Sequence, residues 1–317
     1  MVELSIVVPV YNEEKNIHPF VEQIEKVMGK INKNYELIFV LDPSKDDTEN
    51  VILEAIKKNK NIKLIVLSRK FGQPAATVAG IENCNGNYCV IIDVDLQDPP
   101  NLIEEMYTKI TKEKLDVVYA KRRSRKGETP FKKFFSKIGY ETIHKLSDVK
   151  IPKDVGDFRI ISRRIIVELK KLKETHGFLR GLVSFVGFKQ GYILFDRDER
   201  FSGESKYNKF FGSLKIGING LVSFSSKPLF IMSLSGFMLA VLSFLLGIWY
   251  LSQKITGINI TPGLTTTVIL LSFYSGIQLL GLGLLGEYIG RIYEEVKQRP
   301  KYIMDKKINF EKSEEDE

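Results

Sequence analysis

Asp93, Asp95 and Asp98 lie within six residues, with Gln97 among them, directly after the apolar run Tyr88-Cys89-Val90-Ile91-Ile92. Carboxylates this close repel one another, so the stretch DVDLQDPP implies a positive partner that the chain itself does not supply. Hard oxygen donors suit Mg2+ or Mn2+. Magnesium takes one or two protein carboxylates and completes its shell with phosphate oxygens and water. If strand geometry persists past Ile92, Asp93 and Asp95 point to the same side, because strand side chains alternate with period two. Asp98 is read differently, as the N-cap of a helix opened by Pro99 or Pro100. The chemistry expected of this stretch is metal-assisted holding of a diphosphate.

Other chemistries find little support. Cys84 and Cys89 are the only cysteines, too few for a disulfide framework, and no second Cys or His pair completes a zinc site. His18, His144 and His176 are scattered, and nothing suggests a Ser-His-Asp set. The net charge of +8, from 47 basic and 39 acidic residues, fits an anionic membrane, a phosphate-bearing substrate or simply a solvated basic surface. No nucleic-acid partner is expected.

The acidic turn needs a scaffold, and residues 1 to about 120 alternate strand and helix patterns. Apolar runs at Leu4–Val10, Leu37–Leu41, Ile62–Leu67, Tyr88–Ile92 and Leu115–Ala120 read as strands. Helix-length segments at Lys15–Met28, Asp47–Lys58, Gln73–Asn83 and Pro99–Lys112 separate them. Near-continuous apolar strands alternating with helices predict an α/β fold with a mostly parallel sheet covered on both faces. Ligands of such sheets sit at the carboxyl ends of the strands. Pro9, Tyr11, Asn12 and Glu13 follow the first run, Asp42, Pro43 and Ser44 the second, and Arg69, Gly72 and Gln73 the third. Asp93 and Asp95 follow the fourth, and Lys121 to Lys126 the fifth, so acids and bases converge on one cleft.

The remainder is apolar. No charged residue occurs from Pro228 to Gln253, nor from Ile255 to Gly286, and each run exceeds the roughly 20 residues that cross a bilayer. Two transmembrane helices are expected, with Trp249 and Tyr250 as interfacial anchors. Lys206, Lys209, Lys215 and Lys227 precede the first span, and Arg291, Lys297, Arg299 and Lys301 follow the second, while Lys254 alone lies between. The bias of basic residues places both termini in the cytoplasm of a multi-pass inner-membrane protein. The N-terminal MVELSIVVPVY does not read as a signal peptide. Gly281-Leu282-Gly283-Leu284-Leu285-Gly286 matches a dinucleotide fingerprint but lies inside the second span, where glycines serve close helix packing and make self-association plausible. Thr129–Leu146 and Tyr207–Val222 carry aromatic and aliphatic residues at helical spacing beside lysines. Both read as interfacial amphipathic helices, with core-facing helices as the alternative. The expected layout is a cytoplasmic domain at 1–205 containing the interfacial segment 129–146, a juxtamembrane helix at 206–227, two spans within 228–290 and a cytoplasmic tail at 291–317. Within that tail Glu311–Glu317 is mostly acidic and expected to be disordered.

Together VVPVYNEE, DPSKDDT, SRKFGQ, DVDLQDPP and GDFRIISRR resemble the family 2 glycosyltransferases. The branch most similar is the polyprenyl-phosphate glycosyltransferases, comprising dolichol-phosphate mannose synthase and the bactoprenol glucosyltransferases. GLGLLGEYIGRIYEEVKQRP looks like the bactoprenol members. The resemblance implies a GT-A fold and inverting, metal-dependent transfer of a hexose from a nucleotide sugar to a polyprenyl phosphate. Glucose from UDP-glucose onto undecaprenyl phosphate is favoured. Mannose from GDP-mannose, galactose or an aminosugar stand behind it. By matching motif positions, Pro9, Tyr11, Glu13, Asp42 and Asp93 would bind the nucleotide, and Asp93, Asp95 and Gln97 the Mg2+ or Mn2+. Asp157 would be the catalytic carboxylate, with Arg122 and Arg125 beside the leaving diphosphate. Arg200, Ser205, Lys206 and Tyr207 would bind the acceptor. Pro43 stands where the family has Gly, and Leu41 where an acidic or amide residue is usual, which bears on how the base is read. A processive polysaccharide synthase is the nearest rival enzyme, but the only Trp, Trp249, lies inside a span rather than in a Q-x-x-R-W motif. A non-catalytic membrane scaffold is the rival of another class.

Overall fold

The computed structural model describes residues 1–123, 152, 155–172, 174, 179–196, 222, 225–256 and 263–310. Eight strands form one sheet in the order β7-β5-β6-β4-β1-β2-β3-β8. They are β1 (Leu4–Val10), β2 (Tyr35–Leu41), β3 (Ile62–Leu67), β4 (Tyr88–Ile91), β5 (Val117–Arg122), β6 (Val155–Ser162), β7 (Gln190–Phe195) and β8 (Met304–Ile308). The expected parallel core is present: β1 pairs in parallel with both β2 and β4, and β2 with β3. Two strands beyond the five expected ones run the other way. β6 inserts between β4 and β5, antiparallel to both, and β8 adds antiparallel to β3. Because β6 reverses direction twice over, β5 still points the same way as β4, and all five expected strand ends share one edge.

Helices cover both faces: α1 (Glu14–Ile31), α2 (Thr48–Lys58), α3 (Gln73–Glu82), α4 (Leu102–Lys112), α5 (Arg163–Lys171) and α6 (Leu179–Val186). Every residue of β1 is buried, and its alternate side chains enter two cores. Leu4, Ile6 and Val8 meet Phe20 and Ile24 of α1, Ile52 of α2 and Met106 of α4. Val7 joins Ile38, Val40 and Ile65 against Ala79 of α3, Ile165 of α5 and Leu182 of α6. That is the doubly covered parallel sheet that the unbroken apolar runs require.

Two close fits hold this core. A Cβ built on Gly80 of α3 would lie 2.2 Å from Val7 Cγ1, so α3 sits on β1 at a distance only glycine allows. Gly80→Ala is therefore expected to destabilise the domain by about 2 kcal/mol through overpacking, although alanine is the better helix former. A lowered thermal midpoint in detergent solution checks this, and an unchanged or raised one contradicts it. The second fit is polar. Buried Glu36 of β2 accepts hydrogen bonds from Ser5 Oγ at 2.5 Å and the Asn85 amide at 2.6 Å, and pairs with Lys63 Nζ at 2.6 Å. Ser5 Oγ in turn accepts from the Gly86 amide at 2.8 Å, so the turn before β4 hangs on this carboxylate. Glu36→Ala would leave these donors buried without their acceptor, at an expected cost of about 3–5 kcal/mol. The expected readout is a large loss of thermal stability, with Glu36→Gln recovering part of it.

Beyond the sheet, α7 (Lys227–Ile255) and α8 (Leu264–Val296) are long, apolar and exposed. Lys227–Trp249 and Ile269–Val296 are long and apolar enough to cross a membrane, and side chains such as Phe237, Phe244, Leu280 and Leu282 point away from the protein. Ser243 Oγ donates to Tyr274 Oη at 2.9 Å, and Met232 lies where a Cβ on Gly281 would sit, 2.7 Å away. So Gly281 of the decoy fingerprint serves helix packing, whereas Gly283, Gly286 and Gly290 face open space. After α8 the chain returns to the sheet. Ser68 donates its amide to Ile303 O at 2.9 Å, Tyr302 Oη bonds Glu82 at 2.6 Å, and Lys301 Nζ bonds Leu172 O at 2.6 Å before β8 pairs with β3. Residues 304–308, assigned to the tail by sequence, are thus one of the two edge strands of the sheet.

Candidate active site

The strand ends at the carboxyl edge are laced together, loop to loop. Asn12, at a left-handed φ of 51°, donates its amide to Ser44 Oγ at 2.9 Å, and its Oδ1 accepts the Lys45 amide at 2.9 Å. The Glu13 amide donates to Thr48 Oγ1 at 2.9 Å. These bonds join VYNEE to DPSKDDT. Asp42, buried at the end of β2, accepts the amides of Phe71 and Gly72, both at 2.9 Å, and so joins the second loop to the third. Lys70 of that third loop stacks its ammonium 3.5 Å from the ring centroid of Tyr11. Gln73 Nε2 donates to Asp93 Oδ1 at 2.7 Å, which joins the third loop to the acidic turn.

The acidic turn is not a continued strand. β4 ends at Ile91, and Val94 and Asp95 lie in a turn, so period-two alternation does not set the directions of Asp93 and Asp95. Asp95 Oδ1 instead accepts the amide of Gln97 at 3.1 Å, and Leu96 between them has φ 60°. A leucine in the left-handed region costs about 1–2 kcal/mol, which burial of its side chain offsets. Such strain is typical of sites where a turn must present particular groups. The reading of Asp98 as an N-cap is corrected. α4 begins at Leu102, and its first amides, Leu102 and Ile103, bond the carbonyls of Pro99 and Pro100. A proline disfavours helical geometry in the residue before it, so consecutive prolines push the helix start past both. Asp98 is buried instead, with Arg122 Nη2 3.9 Å from its Oδ1.

A divalent cation fits this donor set. Asp93 and Asp95 offer carboxylate oxygens and Gln97 an amide oxygen, all hard donors, whereas among the described residues no three acids, cysteines or histidines are grouped to hold a metal ion by themselves. That composition suits a cation taking a minority of its ligands from protein and the rest from phosphate and water.

Across the edge, Asp157 of β6 meets an arginine that sequence reasoning did not single out. Arg180, near the start of α6, donates Nε to Asp157 Oδ1 at 2.9 Å and Nη2 to Oδ2 at 3.1 Å. Arg159, fully buried two residues along β6, adds Nη2 to Oδ1 at 3.3 Å and bonds the carbonyls of Gly156 and Asp157. Burial alone would raise the Asp157 pKa. The charge and hydrogen bonds of Arg180, with Arg159 and Arg122 behind it, outweigh that and hold the carboxyl below its ordinary range. Arg122, at the end of β5, approaches the same ground: a Cβ on Gly156 would sit 3.4 Å from its Nη2. A carboxylate so held orients a partner better than it takes a proton.

Pro9, Tyr11, Glu13, Asp42, Asp93, Asp95, Gln97, Arg122 and Asp157 thus all lie on β-strands or loops of this edge. Arg125, Arg200, Ser205, Lys206 and Tyr207, the segment 129–146, most of 206–227 and the acidic end 311–317 lie outside the described residues. Arg180 carried no local signal, because HGFLRGL is an ordinary amphipathic stretch. Arg159 sat in the GDFRIISRR motif, and its burial was not legible there.

Residues 5–170 match the family described as Glycosyl transferase family 2. The chain belongs to glycosyl transferase family 2. The match spans the sheet from β1 through α5, including the acidic turn and Asp157, and this family 2 member is a glycosyltransferase with a GT-A-like mixed sheet. It is 44% identical over 98% of its length to an uncharacterized glycosyltransferase, YkcC, of Bacillus subtilis, covering 95% of that protein. It is 36% identical over 96% of its length to the bactoprenol glucosyl transferase of Shigella phage SfII, covering 98% of it. Among solved structures it is similar to glucosyl-3-phosphoglycerate synthase of Mycobacterium tuberculosis, at 17% identity and TM-score 0.48 over 70% of this chain and 79% of that one.

Proposed function

We propose that this family 2 enzyme transfers glucose from UDP-glucose to the phosphate of undecaprenyl phosphate, with inversion, at the cytoplasmic face of the inner membrane. The observation that carries this reading is the attachment of the apolar helix pair. Chain after the pair belongs to the catalytic domain, because β8 joins the sheet beyond α8, and Tyr288 Oη of α8 bonds Ser225 O, just before α7, at 2.7 Å. Such an anchor keeps the catalytic domain at the bilayer surface, and the phosphate of a lipid acceptor lies at that headgroup depth. Similarity to a bactoprenol glucosyl transferase over nearly the whole chain supports the same acceptor. Bonded to each other by Ser243 and Tyr274, and at their base by Tyr288 and Ser225, the two spans form a hairpin. Arg291, Lys297, Arg299 and Lys301 after it favour the cytoplasmic side.

Asp93, Asp95 and Gln97 would hold Mg2+ or Mn2+, which neutralises charge developing on the departing diphosphate. Arg122, steadied by Asp98, adds a guanidinium to that charge, and Arg125 is assigned beside it by motif position. Tyr11, Lys70 and the loops tied by Asp42 and Glu13 form the wall for the nucleotide, with Pro9 at its base. The acceptor is a phosphate monoester with a second pKa of about 6, so at neutral pH it is mostly a dianion and needs no strong base. Asp157 orients its attacking oxygen toward the anomeric carbon. Arg200, Ser205, Lys206 and Tyr207 are proposed to contact the acceptor.

A donor panel tests the reading. Full-length protein with undecaprenyl phosphate, a divalent cation and radiolabelled UDP-glucose, GDP-mannose, UDP-galactose or a UDP-aminosugar is expected to give labelled solvent-extractable lipid from UDP-glucose. Label from GDP-mannose alone would replace the sugar. Label in polymer would favour a processive synthase, and none in lipid would reject the acceptor.

A further inference from the structure

The Asp157–Arg180 pair is unequal on its two sides. Arg159 is fully buried and fastened to backbone carbonyls, so it fixes Asp157 from behind. Arg180 and Asp157 keep 29% and 34% of their side chains exposed. The half of the arrangement that solvent reaches, and that can open, is therefore the bidentate contact of Arg180. Exchanging the carboxylate for another anion of matching geometry replaces one bidentate charge-assisted contact by another, so the net cost is only the difference between the two.

We propose that Arg180 is a receptor for the acceptor's phosphate, held on Asp157 until the acceptor arrives; this rests on the polyprenyl-phosphate reading above. Phosphate presents the same planar pair of oxygens that a carboxylate does, with more charge, and a guanidinium fork binds it in the same bidentate way. When Arg180 turns from carboxylate to phosphate, an Asp157 oxygen is released beside the bound acceptor while Arg159 keeps the carboxylate in place. The freed oxygen then orients the nucleophile. A phosphate oxygen forms the bond to the anomeric carbon, the bond from that carbon to the diphosphate oxygen breaks, and its electron pair leaves with the diphosphate. Arg180 thus exposes the catalytic carboxylate only when an acceptor is there to use it, which limits loss of the activated sugar to water.

Steady-state kinetics on the full chain in detergent or nanodiscs tests this, varying undecaprenyl phosphate and UDP-glucose (or the donor the panel returns) in turn. Arg180→Ala is expected to raise the acceptor KM at least about tenfold, the loss of one charge-assisted contact, and to leave the donor KM within about twofold. Added guanidinium ion should recover part of the rate, and Arg180→Lys should fall between. In Arg180→Ala, donor hydrolysis without acceptor is expected to rise. A fall in kcat with both KM values unchanged in both variants would overturn the proposal, leaving Arg180 as a prop for Asp157. An equal rise in donor KM would do the same by assigning Arg180 to the diphosphate. If Arg180→Ala does not fold, the KM split of Arg180→Lys decides. Wild-type protein that glycosylates no lipid phosphate rejects the underlying reading instead, and the proposal with it.

Discussion

Asp95→Ala is expected to lower kcat/KM about a thousandfold while leaving the domain folded. Asp95 is buried, and its Oδ1 accepts the Gln97 amide at 3.1 Å, which fixes the carboxylate within the turn. Losing a cation that stabilises a departing diphosphate removes several kcal/mol from the transition state, and about 4 kcal/mol corresponds to that factor. The defect should be smaller when Mn2+ is raised, because Asp93 and Gln97 remain. Asp93→Ala should cost less, since Asp93 also accepts from Gln73 and its loss frees that amide to turn toward the site. Kinetics over a metal titration, with circular dichroism as the fold control, checks both. An Asp95→Ala enzyme with near-normal turnover would remove the acidic turn from the chemistry altogether.

The second large effect concerns Asp157. Asp157→Asn is expected to reduce kcat/KM by a hundredfold or more, with the same defect at pH 6 and pH 8. In the free enzyme, which kcat/KM reports, the Arg180 fork and the Arg159 guanidinium hold the Asp157 carboxyl below its usual range against the effect of burial, so the group is ionised throughout that interval. A depressed carboxyl contributes stability that is present above its unfolded pKa of about 3.9 and is lost only as pH falls through the lower folded value. Nothing titrates at Asp157 between pH 6 and 8, in stability or in rate. A base that collected a residual acceptor proton would behave otherwise. Its loss would matter less as the phosphate, with its second pKa of about 6, reached the dianion unaided. A defect that shrinks with rising pH would therefore assign Asp157 a proton-transfer role instead.

The parallel core and the place of the site were legible because they depend on short-range pattern. Near-continuous apolar runs such as Leu4–Val10 must be covered on both faces, and a parallel sheet gathers its strand ends at one edge. The runs without charge from Pro228 to Gln253 and from Ile255 to Gly286 likewise specify long apolar helices by composition alone. The reading of Asp98 went astray on a local rule: its spacing from the prolines suits a cap, but burial opposite Arg122 decides its position.

What the chain order by itself determined is therefore the set of strands β1 to β5, the two apolar helices, the family and the identities of most groups at the edge. Tertiary structure alone decided who faces whom. It inserted β6 between β4 and β5, closed the sheet with β8 from beyond the second apolar helix, and set Arg180 against Asp157 from 23 residues away. The physical reason is range. Periodicity and turn chemistry act over a few neighbours and are written in adjacent letters, whereas strand order and a charged fork depend on the packing of segments remote in the chain.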